Sequence, residues 1–212
     1  MSQYQFDHEW QKERERLANM EAVFDPMTAQ CLESIGVREG WKCLEVGSGG
    51  GSIVEWLSKP VGSTDKVIGT DLQIKFLEAI DAPNVEVRQH NILTDDLEQD
   101  AFSLVCARKV LEHLADPPSV LQRMVAAVAN MLRATGLADV QLRGWTGEWT
   151  AAEGNPTGAV YRLKFEKMRE RMTEGDAITN EVADQFLTDI QSPEFHAVTG
   201  IHFAAWGRKP SG

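Results

Sequence analysis

Seven residues, Glu45-Val46-Gly47-Ser48-Gly49-Gly50-Gly51, constrain this chain more than anything else in its sequence. They join an apolar stretch at 42–46 (KCLEV) to a segment at 52–58 with helical patterning. Glycine lets a backbone turn tightly and approach a ligand where a Cβ would clash. The amino terminus of the following helix offers unpaired N–H groups. Strand, glycine turn and helix in that order form a ligand-binding device of parallel α/β sheets. A dinucleotide site uses the same physics with the spacing G-x-G-x-x-G. Here the third glycine comes one position early, and Ser52 stands where that fingerprint needs glycine.

The rest of the chain supports a sheet of this kind. Further apolar runs at 66–70 (KVIGT), 85–89 (VEVRQ) and 102–107 (FSLVCA) read as strands, with a helix predicted near 74–80. Strands alternating with helices imply an α/β fold with a Rossmann-like, doubly wound and mostly parallel sheet, its ligands at the carboxyl ends of the strands. Upstream, 6–24 patterns as an amphipathic helix with Trp10, Leu17, Met20 and Phe24 on one face. Asp25-Pro26 is expected to end it, and a second helix to follow at 27–34. Downstream, Pro117-Pro118 opens a helix expected to reach Arg133, and 137–142 (LADVQL) reads as a strand. A Gly- and Thr-rich loop is expected at 144–158, helices at 160–172 and 181–190, and a closing strand at 197–208. The implied organisation is a single domain: a helical cap at 1–36, a ligand-binding core at 37–143, a loop and helical insertion at 144–196, and a closing strand and tail at 197–212.

Composition removes several function classes. With 212 residues, 42% hydrophobic and 25% charged, the chain is long enough for a sizeable core and ordinary for a globular protein. No apolar run approaches the length of a membrane span. The amino-terminal segment lacks the apolar core of a secretory signal, so a cytoplasmic location is expected. The three cysteines, Cys31, Cys43 and Cys106, fall in no metal-ligand or redox spacing. A net charge of −11 repels phosphate backbones, so neither nucleic acid nor membrane is expected as a partner.

Two acids narrow the ligand. Glu45, two positions before the first glycine, suits the positive amino-acid end of a ligand and sits badly beside a pyrophosphate. Asp71, at the end of the second predicted strand, can accept both hydroxyls of a ribose. His113 is the titratable side chain near the presumed reaction centre that can act as a general base at neutral pH, although a histidine here more often bonds a loop carbonyl and shapes the turn before Pro117. Glu112 reads as a solvated or capping charge. The remaining histidines form no metal pattern. Trp145 and Trp149 either line a substrate pocket or cover core.

The pattern E-x-G-x-G-x-G, then strand, then Asp resembles the class I S-adenosylmethionine-dependent methyltransferases. The segments HEWQKERERLANMEAVFDPMT, NVEVRQHNIL, ARKVLEHLADP and TGIHFAAWGRKP are similar to small bacterial members of the ubiquinone/menaquinone-methyltransferase-like group. That resemblance implies S-adenosyl-L-methionine as cofactor and a small-molecule methyl acceptor. It further implies that Glu45, Gly47, Ser48, Gly49 and Gly51 surround the methionine part and that Asp71 holds the ribose. Leu72 and Ile92 would flank the adenine, and Arg108 would face the cofactor. Asn91 stands where the family often has Asp, and its side-chain oxygen can accept the same hydrogen bond. The sequence departs from the family after Arg133, where Arg133-Ala134-Thr135-Gly136 replaces a Pro-Gly-Gly turn. Either 137–142 is the fifth strand, or a central strand is shortened or missing. Two other readings stay open: a nicotinamide-dependent oxidoreductase, and a non-catalytic relative that keeps the sheet as an interaction module.

Overall fold

The computed structural model describes residues 12–63, 65–127, 138–151, 154–174, 178–198 and 202–208. By internal contacts these divide into one unit comprising 25–142 and 205–208, and a second comprising 12–24 and 143–204.

The first unit is built on four parallel strands: β1 (Cys43–Val46), β2 (Val67–Asp71), β3 (Val85–Gln89) and β4 (Leu104–Ala107), in the order β3-β2-β1-β4. Glu45 lies opposite Gly69 on β2 and Cys106 on β4, so β1 is interior to the sheet. All four of its residues are buried, as a strand covered on both faces must be. Alternation sends Leu44 and Val46 to one face, where they pack with Ile68, Ile92, Phe102, Val120 and Met124. Cys43 and Val67 go to the other face, with Leu32, Ile53, Val54, Leu57 and Val61. Helix α2 (Ser52–Val61) covers this second face through Ile53, Val54, Leu57 and Val61, an apolar stripe at helical spacing. Fully burying each such side chain contributes about 2 kcal/mol. Helix α3 (Pro117–Ala127) covers the first face through Val120, Met124 and Ala127.

Several sequence expectations are corrected. A single helix, α1 (Glu13–Ile35), runs through Pro26 where two were expected. Proline removes one backbone hydrogen bond and crowds the preceding turn. Buried residues on both sides of it, Leu17 and Phe24 before and Cys31 and Leu32 after, keep the helix continuous. The helix expected at 74–80 contracts to a 3-10 turn, Leu77–Ala79, anchored by the buried Leu77. The strand expected at 137–142 is β5 (Ala138–Trp145), and it pairs with β8 (His202–Arg208) in a separate two-stranded sheet. Among the described residues it does not pair with β4, which is therefore an edge of the four-stranded sheet. The continuation of α3 to Arg133, the stretch 133–136 and residues 6–11 lie outside the described residues.

In the second unit, β6 (Glu148–Thr150) falls inside the expected loop and pairs antiparallel with β7 (His196–Val198). The closing strand thus divides into β7 and β8. Trp149 stacks on Tyr161 of α4 (Pro156–Glu174) at 4.5 Å and meets the edges of Phe186 of α5 (Asn180–Asp189) and Phe195. A local core is what this tryptophan makes. Glu13 and Arg16, both buried on α1, form a bidentate pair at 2.6 and 2.8 Å. Among the described residues no helix is long and apolar enough to cross a membrane.

Candidate cofactor site

At the carboxyl end of β1 the chain leaves the sheet through the glycine run. The N–H groups of Gly47 and Ser48 both donate to the Thr70 carbonyl, at 2.8 and 2.9 Å, which ties the loop to the end of β2. Gly47 has φ 70°, and a Cβ there would lie 2.3 Å from Val110 Cγ2. Gly51, the residue before α2, has φ 89°, and its Cβ would lie 2.6 Å from Ile80 Cδ1. Both positions combine left-handed backbone with side chains closing from outside, so only glycine fits without displacement. Cradle and sequence motif coincide.

Asp71 faces this loop. Its Oδ2 accepts the Gly49 N–H at 2.9 Å and its Oδ1 the Gln73 N–H at 3.3 Å. Two carboxylate oxygens offer about four acceptor sites, so room remains for hydroxyl donors. Leu72, 45% exposed, stands beside it.

Glu45 is the most unusual group of the site. Only 2% of it is exposed, and its Oε2 has no hydrogen-bond partner among the described residues. Burial raises its carboxyl from 4.5 to about 8, against the lowering effects of the Arg108 charge and the Ser48 hydroxyl, with Asp25 and Asp71 adding to the rise. A buried carboxyl with an unsatisfied oxygen costs free energy that a cationic ligand would recover. The main-chain carbonyl of the same residue accepts from Thr70 Oγ1 at 3.0 Å and from Ser48 Oγ at 3.3 Å, so the strand end is firmly held.

Arg108 follows β4. Its Nη1 pairs with Asp25 Oδ1, its Nη2 reaches Ser52 Oγ at 3.2 Å, and Ser52 Oγ in turn donates to Asp25 Oδ1 at 3.0 Å. The sequence alone does not disclose this cluster: Asp25 reads there as a helix stop and Ser52 as a break in a fingerprint. Ser52 was findable as the first residue of α2, whereas nothing in the chain links Asp25 to a partner 83 positions away.

The other expected site residues lie as follows. Asn91 opens the turn after β3, where its Oδ1 accepts the Leu93 N–H at 3.0 Å and its own N–H donates to Asp95 Oδ2 at 2.8 Å. Ile92 is 6% exposed and packs into the core of the α3 face. His113 ends a 3-10 turn, Leu111–His113, with Nε2 3.5 Å from Glu112 Oε1. Val110, the residue before that turn, is the one that closes over Gly47. Among the described residues no group of three or more His, Cys, Asp or Glu side chains is placed to hold a metal ion.

A parallel sheet opens here through a glycine cradle, with the Asp71 carboxylate facing the loop and the buried Glu45 carboxyl beside it. Comparison with known proteins gives the family. The methyltransferase domain family model matches residues 2–167, and the chain belongs to that family. It is 30% identical over 129 residues to methyltransferase GfsG of Streptomyces halstedii, an alignment covering 56% of this chain and 44% of that protein. With the ubiquinone biosynthesis O-methyltransferase of Paracidovorax citrulli it shares 27% over 106 residues, 46% of this chain and 43% of that one. The chain thus spans less than half the length of these curated relatives. Its fold is that of the class I methyltransferases: a chain in the complex of the Haloferax volcanii Trm112 methyltransferase activator with a methyltransferase superposes with a TM-score of 0.50 at 15% identity, covering 60% of this chain and 54% of that one. The residues present fit S-adenosylmethionine, the cofactor of such methyltransferases, because the orphaned Glu45 oxygen answers an ammonium and Asp71 answers ribose hydroxyls.

Proposed function

We propose that this chain binds S-adenosylmethionine at the carboxyl ends of β1 to β3 and serves methyl transfer to a small-molecule acceptor by direct in-line displacement. The observation that carries the reading is the buried, unpartnered Oε2 of Glu45 beside the glycine cradle. When bound, the cofactor supplies a methyl group already activated on a sulfonium. Glu45 holds the amino group of the methionine part, the backbone of 47–51 surrounds that part, and Asp71 accepts the ribose hydroxyls. Leu72, Asn91 and Ile92 lie toward the adenine. His113 takes the proton of a hydroxyl or ammonium acceptor as that group becomes nucleophilic. The enzyme's work is then orientation and exclusion of water, which requires no covalent intermediate. The net charge of −11 disfavours a nucleic-acid acceptor. All three cysteines are free thiols, in keeping with a cytoplasmic location.

Titration calorimetry with S-adenosylhomocysteine on the wild type and Asp71→Ala tests the site. Loss of the charged hydrogen bonds to ribose should weaken binding by about 1.5–3 kcal/mol. Equal affinities would refute the assignment. A second reading, cofactor binding without turnover, draws on the end of the four-stranded sheet at β4 among the described residues. Turnover of any acceptor in a broad panel of phenols, amines and carboxylates would eliminate it.

A further inference from the structure

Strand β3 is an edge of the four-stranded sheet: among the described residues it pairs with β2 and with no strand on its other side. Val67 donates its N–H to the Asn84 carbonyl and His90 donates its own to the Asp71 carbonyl, both at 2.9 Å. In a parallel pair, alternate residues turn both backbone groups to the same neighbour. Positions 84, 86, 88 and 90 therefore face β2, whereas Val85, Val87 and Gln89 face outward. The Val85 N–H bonds the Ala82 carbonyl at 3.0 Å, so the outward donors are those of Val87 and Gln89. A row of this kind accepts another strand unless charge or proline blocks it.

The charges on this edge select a partner. Glu86 and Arg88 project from one face of β3 on either side of Val87, and Arg88 Nε donates to Glu86 Oε1 at 2.6 Å. Lys66 Nζ reaches Glu86 Oε2 at 3.2 Å and Arg88 Nη1 reaches Glu98 Oε1 at 2.6 Å. These four side chains sum to zero charge, on a chain whose net −11 repels a second copy elsewhere. The row is also self-complementary. When a second β3 runs antiparallel with Val87 on the two-fold axis, Glu86 stands opposite Arg88 of the second copy, and Arg88 opposite its Glu86. The same register sets Val87 against Val87 and Val85 against Gln89, so outward donors meet outward carbonyls. An axis through Glu86 or Arg88 would satisfy the main chain equally but set like charges opposite one another, which is destabilising. We propose that β3 is the docking edge for a second copy of this chain, paired antiparallel about Val87. The contact is isologous, each copy offering the same patch, and it joins the two sheets into one.

Sedimentation equilibrium of the full chain tests this, at about 0.15 M salt, where the Debye length is about 8 Å and long-range repulsion is screened. The wild type should shift from monomer to dimer as its concentration rises to about 1 mM, the weak end of the affinity scale. Glu86→Arg and Arg88→Glu each place like charges opposite one another, and each should weaken dimerisation roughly tenfold or more. Mixed in equal amounts, these two variants should associate at least as well as the wild type, because one copy then offers two arginines and the other two glutamates. The double variant Glu86→Arg/Arg88→Glu keeps the complementarity and should dimerise like the wild type. Val87→Pro removes the central outward N–H at a place where an edge strand tolerates proline, and should abolish the dimer. Thermal unfolding of each variant identifies any that does not fold; should a charge variant fail, Val87→Pro decides alone. A wild type that stays monomeric, a dimer that survives Val87→Pro, or a mixture no more associated than its separate components would overturn the proposal.

Discussion

Replacing Glu45 by Gln should make the ligand-free protein more stable, and by an amount that depends on pH. The carboxyl is 2% exposed with one oxygen unpartnered, and burial lifts it from 4.5 to about 8 in the folded chain. Between those values the folded state holds a proton that the unfolded state has released. The unfolded chain therefore binds fewer protons, and stability falls as pH rises. The groups facing Glu45, namely Arg108, Ser48, Asp25 and Asp71, act on its carboxyl within that rise to about 8 and have no charge to act on in the Gln variant. At about 1.4 kcal/mol per pH unit, the Gln variant should match the wild type near pH 4.5, exceed it by about 3 kcal/mol at pH 7 and level off at about 5 kcal/mol above pH 8. Urea unfolding followed by tryptophan fluorescence at pH 5, 7 and 9 reads the difference directly. The same variant should bind S-adenosylhomocysteine more weakly, since an amide offers an ammonium no charge. A stability gap that stays flat from pH 5 to 9, or a Gln variant less stable than wild type at pH 9, would refute the reasoning.

Other perturbations follow from the same geometry. Gly47→Ala places a Cβ 2.3 Å from Val110 in left-handed backbone, and should cost about 2 kcal/mol or more by denaturant unfolding while weakening cofactor binding. Burial pushes the Cys43 thiol up to about 12 and Cys106 well above its usual range. Iodoacetamide at pH 8 should therefore spare both until the protein is unfolded, and mass spectrometry of native labelling at a free-thiol rate would contradict this. Trp149→Ala removes the hub of the Tyr161, Phe186 and Phe195 contacts and should destabilise by about 3–5 kcal/mol, read by urea midpoint.

The local rules of the chain were enough to determine the cradle. A run of glycines after KCLEV admits a tight strand-to-helix turn, and the positive φ observed at Gly47, Gly49 and Gly51 is backbone that this residue type permits without strain. The same holds for β3, read at 85–89 and found there, and for Asp71, whose place at the end of β2 puts it against the loop because parallel neighbours end together. What needed the tertiary structure are features whose free energy comes from distant partners. Pro26 remains inside a helix because burial on both sides outweighs one lost hydrogen bond. Residues 148–150 become a strand only because 196–198 lie beside them. The charge state of Glu45 depends on how completely the sheet excludes water from it, and the partner of Arg108 is an aspartate 83 positions earlier. Backbone preference acts over a few residues and can be read from them. Desolvation and ion pairing act through space, so they exist only once the chain has folded.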